Sequence, residues 1–423
     1  MLILTPVLVR QPLLRPANIL VLYWLAMVLF GLMLFPISSK LVGVIDTGLL
    51  PKTVNLYLLA FVLFAIGLVQ FRLMKPYSMY LEPIAEIRME VVNYVPWVLL
   101  GLCGIFLGLT FQAVGYIPLL AGETNITKYF QGDIDIYVKY RPFYTFALNT
   151  LTVILTFSLA MIFQARNRLN WIILSVVSGG LILLTAKRGP LLMPFLHFGL
   201  AYSIARNSFK KFVLIIAALM VMGVVLHIDS VGENNLVEKV AFSIAMSFFV
   251  GVRELTRLLT IDNGQLLWGK TYLAGLLSFI PTEWFEFKAQ FNYMRYIMSL
   301  EGADPNLSGG MRASFIGEAL INFGFFGVAA VSYFFGLATG WADRWFVQTR
   351  LIKEYGLIGI IFVFTIFQNI YLGFFENGSS AILFLINRLL IFIILLFLCL
   401  PRVRRDIKRL VQGKESKSQS EKR

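Results

Sequence analysis

Charged residues are scarce in this chain. Only 14% of its 423 residues are Asp, Glu, Lys or Arg, whereas 58% are hydrophobic, a balance that excludes an ordinary soluble globular protein. Apolar runs recur from residue 19 to residue 397, many of them near the length of about 20 residues that an α-helix needs to cross a bilayer. These runs lack the alternation of polar and apolar residues that barrel strands show, so we expect a helical bundle.

Cysteine and histidine are rarer still, with two residues of each. Cys103 and Cys399 both fall inside apolar runs, which argues against a disulfide framework and leaves too few ligands for a metal site. Asp133 and Asp135 form a D-x-D pattern without a supporting His or Cys in the same loop. No Walker, Rossmann, G-x-S-x-G or H-E-x-x-H pattern occurs. We therefore expect no metal, no cofactor, and no ATP-driven or hydride-transfer chemistry.

What the chain does contain is a long series of apolar spans. They predict an all-α integral membrane protein with about 10 transmembrane helices, at most about 12. The first span is expected to remain uncleaved, because no A-x-A pattern follows it. A single polytopic membrane domain is predicted over residues 1–400, followed by a basic cytoplasmic tail over residues 401–423. The predicted spans are residues 19–37, 54–71, 94–114, 143–163, 171–185, 190–205, 212–228, 315–339, 356–374 and 380–400.

The positions of Lys and Arg orient these spans. A net charge of +14 would suit nucleic acid in a soluble chain, but in a chain this apolar the basic residues mark cytoplasmic loops. Placing both termini in the cytoplasm puts most basic clusters on that side, so we expect no nucleic-acid partner. That orientation places three notable features on the outer face, namely residues 116–142, 186–189 and 229–313.

The segment 229–313 is too long to be a mere connection. It is also semi-apolar, and residues 240–252 and 266–280 each predict a helix that lies in the interface or dips into the membrane. Irregular backbone at membrane depth is tolerated only against protein or water. We therefore expect this large extracytoplasmic segment to cover a functional cavity.

Two pairs of cations are predicted on the outer face. Lys187 and Arg188 lie in a short turn, and Pro190 suits the first turn of the following helix, whose positive end favours an anion. The alternative is that both side chains snorkel at the interface. Arg253 and Arg257 share one helical face and suit phosphate oxygens. The alternative for this pair is contact with anionic lipid headgroups.

A deep carboxylate is the third candidate feature. In the glycine-rich stretch 308–324, Arg312 is predicted at the mouth of a span, with Glu318 about a turn and a half further along. An ionisable residue at that depth is costly and by default indicates function. The alternative is a structural pair between Glu318 and either Arg312 or Arg388.

Several cations around one carboxylate predict a site for a lipid-linked phosphate or diphosphate. Glu318, Asp229 and His227 are the candidate bases, and the last two lie close together at the outer end of the seventh span. Sugar transfer from a polyprenyl diphosphate suits these groups, because cations stabilise the departing diphosphate while a base assists the attacking hydroxyl.

Several short motifs carry a resemblance to a known family. They are Gly115–Leu120, Lys187–Gly189, Gly269–Tyr272 with Phe279–Pro281 and Trp284, and Ser314–Glu318 with Asn322–Gly327. In these motifs and their order the chain resembles the Wzy-type O-antigen or oligosaccharide repeat-unit polymerases. The resemblance implies a metal-independent glycosyltransferase with a GT-C-like membrane fold in the bacterial cytoplasmic (inner) membrane. Such an enzyme moves a growing glycan from undecaprenyl diphosphate to a lipid-linked repeat unit at the extracytoplasmic face.

The resemblance also selects individual positions. Those that match the family are Lys187, Arg188, Gly317, Glu318, Asn322 and Gly324. Thr282 stands where related sequences often carry an arginine, so Arg295 or Arg312 would have to replace it at the donor. We expect the donor diphosphate to be held by Arg188, Arg253, Arg257 and Arg312. Glu318 is expected to orient or deprotonate the acceptor hydroxyl.

Two other functions fit the same sequence. An O-antigen ligase also uses a diphosphate-linked donor but transfers the glycan to a lipid A core. A transporter or flippase of lipid-linked oligosaccharides would predict paired broken helices in two related halves. The expected partners are undecaprenyl-diphosphate-linked oligosaccharides and the bilayer, with a chain-length regulator and a flippase as further candidates.

Overall fold

A computed structural model of the chain describes residues 16–42, 47–75, 94–120, 134–205, 250–277, 285–300, 314–367 and 378–399, with a few isolated residues between them. Some helical residues, Arg188 and Arg388 among them, are described by their backbone alone. The regular elements in these ranges are helices. They are α1 (Pro16–Val42), α2 (Leu50–Met74), α3 (Tyr94–Val114), α4 (Ile134–Gln164), α5 (Arg168–Leu184), α6 (Arg188–Ala205), α7 (Val250–Ile261), α8 (Lys270–Leu276), α9 (Glu286–Phe291), α10 (Tyr293–Leu300), α11 (Ser314–Gln348), α12 (Arg350–Phe367) and α13 (Ala381–Cys399), with 3₁₀ turns at Thr47–Leu49 and Gly378–Ser380.

The helices suit a membrane. Four are long and apolar enough to cross one, namely Leu50–Met74, Tyr94–Val114, Pro142–Gln164 and Ser314–Gln348. Shorter apolar helices cover Ala17–Met33, Arg168–Leu184, Gly189–Ala205, Gly356–Phe367 and Leu389–Cys399. Every predicted span except residues 212–228 overlaps one of these helices, and that span lies almost wholly outside the described residues. The total of about ten crossings stays a prediction.

The chain divides into two compact units. The first comprises Met1–Ile84, Gly199–Glu354 and Val363–Leu385, and the second comprises Ala85–Phe198, Tyr355–Phe362 and Ile386–Arg423. The sequence predicts one membrane domain over residues 1–400, without this division. In both units, boundaries fall inside helices, because α6 and α12 each contribute residues to both.

In the first unit, α2 runs parallel to residues 325–348 of α11. Near one end the Lys52 ammonium lies 6.0 Å from the centroid of the Phe325 ring, and near the other the Arg72 guanidinium lies 3.3 Å from an Asp343 carboxylate oxygen. Small residues permit the close approach, since a Cβ at Gly336 would meet the backbone of α2. The two helices therefore run in the same direction, and the face on which they begin stays a prediction.

An aromatic core fills the same unit. Trp24 on α1 is 1% exposed, and its ring centroid lies 5.2 Å from that of Phe64, 5.7 Å from that of Phe315 and 4.8 Å from that of Phe375. Aromatic pairs at such distances contribute about 0.5–1.5 kcal/mol each beyond the apolar area they bury. The core therefore links α1 and α2 to the beginning of α11.

The long helix α11 is not continuous. Gly324 has φ 66° and ψ −153°, a combination open essentially only to glycine. The Phe315 and Phe335 rings are 5.1 Å apart, whereas 20 residues of straight helix would separate them by about 30 Å. Residues 314–323 therefore fold back beside the rest of the helix. This corrects the prediction of one uninterrupted span over residues 315–339.

A second glycine permits the fold-back. A Cβ at Gly327 would lie 2.6 Å from the carbonyl oxygen of Ala319, so the two halves touch backbone to backbone just beyond the break. The remainder, residues 325–348, extends about 36 Å at 1.5 Å per residue and is long enough to span a membrane by itself. Glu318 therefore belongs to a short half-helix packed beside a spanning helix.

The described residues cover only part of the two helices predicted in the semi-apolar segment. Helix α7 begins at Val250, where the sequence predicts a helix over residues 240–252, and residues 240–249 lie outside the described part. Residues 262–269 are not helical, and α8 is a short helix from Lys270 to Leu276 instead of the predicted 266–280. The reason is that the backbone of residues 267–269 bonds to α11, as described below.

The second unit is built around α3, α4 and α5. The Ser175 hydroxyl on α5 donates to the Ser158 hydroxyl on α4 at 2.7 Å, and Trp97 on α3 donates to the Asn170 side-chain oxygen at 3.1 Å. Helix α4 begins at Ile134, so the outer loop predicted over residues 116–142 is helical in its last part.

Candidate functional site

The site begins with the carbonyl groups that the break at Gly324 releases. The last carbonyls of a helix have no partner within it. Here the Ile321 carbonyl accepts from the Leu267 N–H at 3.0 Å, and the Asn322 carbonyl accepts from the Trp268 N–H at 3.0 Å. The Asn322 side-chain oxygen accepts the next amide, Gly269 N–H, at 2.9 Å. The three successive amides of residues 267–269 thus bond to the end of the half-helix.

Glu318 lies at the centre of a buried polar cluster. Its side chain is 0% exposed. One carboxylate oxygen accepts from the Thr271 hydroxyl at 2.7 Å and from the Ser379 hydroxyl at 2.5 Å. The other oxygen accepts from the Ser379 N–H at 2.6 Å. Gly378 has φ +59°, and a Cβ there would collide with the Glu318 carboxylate, so only glycine fits this turn.

Asn322 completes the cluster. Its amide nitrogen donates to the Thr271 hydroxyl oxygen and to the Glu318 backbone carbonyl, both at 2.7 Å. The Thr271 hydroxyl therefore accepts from Asn322 and donates to Glu318. The amide group of Asn322 makes three hydrogen bonds in all, which orients it uniquely. Three separate stretches of sequence, around residues 271, 318–322 and 379, meet in one network.

Two tyrosines flank the network. The Tyr293 hydroxyl donates to the Ser314 carbonyl oxygen at 3.0 Å, and its side chain is fully buried. The Tyr272 ring lies parallel to that of Phe323 at 6.2 Å between centroids. Burial first, and then the negative charge of Glu318, raise the pKa of Tyr272 and the pKa of Tyr293 well above their ordinary value. Both phenols are therefore protonated at neutral pH.

Arg253 and Arg257, the predicted cations of α7, do not form an exposed pair. Arg253 is 6% exposed, and its Nε donates at 2.9 Å to the carboxylate of the adjacent Glu254, which is 5% exposed. Arg257, one turn along, is half-buried. Arg295, on α10, is also half-buried, and its backbone N–H lies 3.4 Å from the Asn292 side-chain oxygen. The charge of Arg253 is thus already matched by a carboxylate.

The remaining predicted residues are only partly described. Lys187 is half-buried in the turn before α6, which begins at Arg188 and includes Pro190 in its first turn, as predicted. Both cations belong to the second unit. His227, Asp229 and Arg312 lie outside the described residues, as does the side chain of Arg188. Of the positions matched to the family, the structure brings Glu318 and Asn322 together beside the break at Gly324, with Gly317 buried in the same half-helix.

Two members of the cluster are missing from the predicted site. Thr271 belongs to the motif Gly269–Tyr272, but nothing in a single sequence shows that its hydroxyl reaches Glu318. Ser379 is far away in sequence, and its signal is a Gly-Ser-Ser group directly before the last apolar run, a pattern typical of a helix start. The fold-back of residues 314–323 is what makes both contacts.

Chemically, the arrangement is a buried carboxylate whose partners, among the described residues, are neutral hydroxyl and amide groups. A group of that kind can orient a hydroxyl or accept its proton once a partner moves away. The described residues thus define a class of protein. It is a helical membrane-type protein with a buried carboxylate, surrounded by neutral polar groups, beside the break in a helix. Comparison of the chain with protein-family models, curated proteins and solved structures gave no match.

Proposed function

We propose that this protein is a polysaccharide polymerase of the O-antigen or repeat-unit type. It transfers a growing glycan from undecaprenyl diphosphate to a lipid-linked repeat unit, without a metal, at the outer side of a bacterial cytoplasmic membrane. In this proposal the chain crosses the membrane about ten times in a GT-C-like arrangement, with both termini in the cytoplasm.

The observation that supports the proposal is the meeting of two of the resembling motifs at Glu318. Gly269–Tyr272 and Ser314–Glu318 with Asn322–Gly327 are apart in sequence, yet the first supplies Thr271 and the second supplies Glu318 and Asn322 to one hydrogen-bond network. An acid buried among neutral partners is expensive to maintain and by default indicates a functional site in a membrane protein.

In the proposed reaction the acceptor hydroxyl oxygen attacks the anomeric carbon of the donor sugar. The new glycosidic C–O bond forms as the bond to the diphosphate oxygen breaks, and the diphosphate leaves on its lipid. The hydroxyl proton passes to Glu318. For this step the Ser379 hydroxyl, which now bonds to Glu318, must give way to the acceptor hydroxyl, so the turn Gly378–Ser380 is the part that moves.

The donor diphosphate needs cations. The candidates remain Lys187, Arg188, Arg257, Arg295 and Arg312, with Arg253 weakened by its pairing to Glu254. His227 and Asp229 remain alternative bases to Glu318.

The test replaces Glu318 with Gln. The amide keeps the shape of the carboxylate but cannot accept the proton, and general base catalysis typically contributes about 10²–10⁴-fold to a rate. Purified protein, supplied with lipid-linked repeat units, should lengthen them in the wild type and lose at least about 100-fold of that rate in Glu318→Gln. The control is Glu286→Gln, the same change at an exposed acid on α9.

Equal rates in Glu318→Gln and wild type would disprove the role of Glu318. The same preparation separates the alternatives. Transfer of the glycan to a lipid A core acceptor, with no lengthening of lipid-linked units, would identify a ligase. Movement of labelled lipid-linked sugar across a liposome membrane without lengthening would identify a transporter.

A further inference from the structure

The Tyr272 hydroxyl takes no part in the hydrogen-bond network around Glu318. The residue follows Thr271 on α8, and its hydroxyl oxygen is buried without a hydrogen-bond partner among the described residues. Tyr293, on the other side of the cluster, shows the usual arrangement, because its hydroxyl donates to the Ser314 carbonyl. Buried polar groups in native proteins are nearly always hydrogen-bonded, so the exception at Tyr272 needs a reason.

The Tyr272 ring is packed against the ring of Phe323. Its plane lies within 10° of the Phe323 ring plane. Phe323 is itself confined, since a Cβ at Gly269 would lie 3.1 Å from its ring. The same short helix that carries Tyr272 holds Thr271 against Glu318. Because Tyr272 is adjacent to Thr271, whose hydroxyl bonds to Glu318, a ligand on the Tyr272 hydroxyl would lie beside the same short helix as the polar cluster.

The groups around the Tyr272 hydroxyl determine which kind of ligand oxygen can bind to it. The phenol keeps its proton, because burial and the Glu318 charge raise its pKa well above the ordinary value, so it is a donor. A phosphate oxygen would bring a second negative charge towards the Glu318 carboxylate, which is unfavourable in a buried site. A neutral hydroxyl oxygen carries no such penalty.

We propose that Tyr272 binds the acceptor glycan, its hydroxyl donating a hydrogen bond to a neutral sugar oxygen beside Glu318. This inference rests on the proposed function and deepens it, because it assigns this side of the cluster to the acceptor sugar and not to the donor diphosphate. The hydroxyl is covered in this structure, so binding includes a local displacement of the side chains around it.

Tyr272→Phe and Tyr293→Phe form a matched pair for the test. Each removes one buried hydroxyl oxygen beside the same cluster. Tyr293→Phe loses a hydrogen bond and should lower the melting temperature of the purified protein. Tyr272→Phe loses none within the described residues, so its melting temperature should equal or exceed that of the wild type.

Binding is measured as the rise in melting temperature caused by the oligosaccharide repeat unit released from its lipid, and separately by inorganic diphosphate. Tyr272→Phe should need roughly 5- to 10-fold more oligosaccharide than the wild type for the same rise, the expected effect of one lost hydrogen bond. Tyr293→Phe should respond to the oligosaccharide like the wild type. The response to diphosphate should be the same in all three proteins.

An unchanged response of Tyr272→Phe to the oligosaccharide would overturn the inference. A Tyr272→Phe protein that loses its response to diphosphate but keeps its response to the oligosaccharide would overturn it as well. A wild type that is not stabilised by the oligosaccharide would also overturn it. The proposed function is judged separately by chain lengthening. A further outcome is that the wild type binds the oligosaccharide more tightly than Tyr272→Phe and yet lengthens no chains. That result would support the sugar site and refute the polymerase function.

Discussion

Two buried carboxylates lie on the same helix, on either side of its break, and they are held in different ways. Asp343, in the long part of α11, is 0% exposed and accepts from the Arg72 guanidinium at 3.3 Å and from the Ala17 backbone N–H at 3.5 Å. Glu318, in the short part, is equally buried, but its partners among the described residues are the hydroxyl groups of Thr271 and Ser379 and a backbone amide.

Under the proposed function, the difference separates a structural acid, Asp343, from a functional one, Glu318. An opposite charge compensates Asp343 where it joins α1, α2 and α11, and removing the carboxylate would leave the Arg72 guanidinium buried without it. Glu318 is held by neutral groups, one of which gives way to a substrate hydroxyl in the proposed reaction. Changes at Asp343 should therefore affect folding, and changes at Glu318 should affect function.

The largest expected effect is at the ion pair. Asp343→Ala leaves the Arg72 guanidinium buried without its carboxylate, which should lower the free energy of unfolding by about 3–5 kcal/mol. The double variant Arg72→Met with Asp343→Leu should recover to within roughly 1 kcal/mol of the wild type, since apolar side chains often replace a buried pair at little cost. Thermal unfolding in detergent measures both. A single variant as stable as the wild type would remove the distinction drawn between the two acids.

A smaller effect is expected at the break. Gly324→Ala forces a side chain into a backbone conformation that costs of order 1–3 kcal/mol, and the strain falls on the half-helix that carries Glu318. Polymer synthesis should decline more than folding does. Gly104→Ala is the control, because nothing lies within 4 Å of a Cβ at that helical glycine, and it should be neutral or slightly stabilising. Equal behaviour of the two variants would argue against the fold-back at Gly324.

An effect no larger than that at Gly324 is expected from the loss of one hydroxyl group. Thr271→Val removes the group that links Asn322 to Glu318 and should cost about 1–3 kcal/mol, because it leaves buried partners unsatisfied. Thr110→Val is matched to it. The Thr110 hydroxyl, also buried, bonds to the Phe106 carbonyl of its own helix at 2.8 Å, so its loss should cost less than about 0.5 kcal/mol. Similar melting temperatures for the two variants would show that the Glu318 network adds little to stability.

The apolar spans were predictable because membrane helices are dictated by local composition. Tyr94–Val114 begins and ends where the sequence predicts, and Leu50–Met74 extends its prediction by only a few residues. The pairing of Arg72 with Asp343 was not predictable, since it joins residues 271 positions apart. The pair lies beyond the predicted ends of both spans, residues 71 and 339, and both helices continue past it.

The candidate site was predictable only in part. Glu318 stands out as an acid in an apolar run, and the glycines around it indicate close backbone approach. Its partners depend on how residues 314–323 turn back at Gly324, and a run of apolar residues with glycines is equally consistent with a straight span. Ser379 and Tyr272 are for this reason absent from the predicted site.

The sequence by itself determined that this chain is helical and suited to a membrane, and that an acid at position 318 would be exceptional, because composition decides what lipid can solvate. Only the tertiary structure decided which groups meet that acid. The positive φ angle at Gly324 lets the half-helix reverse its direction. The positive φ angle at Gly378 brings the turn 378–380 into contact with the Glu318 carboxylate. Hydrogen bonds between residues 47 to 61 positions apart then set its surroundings.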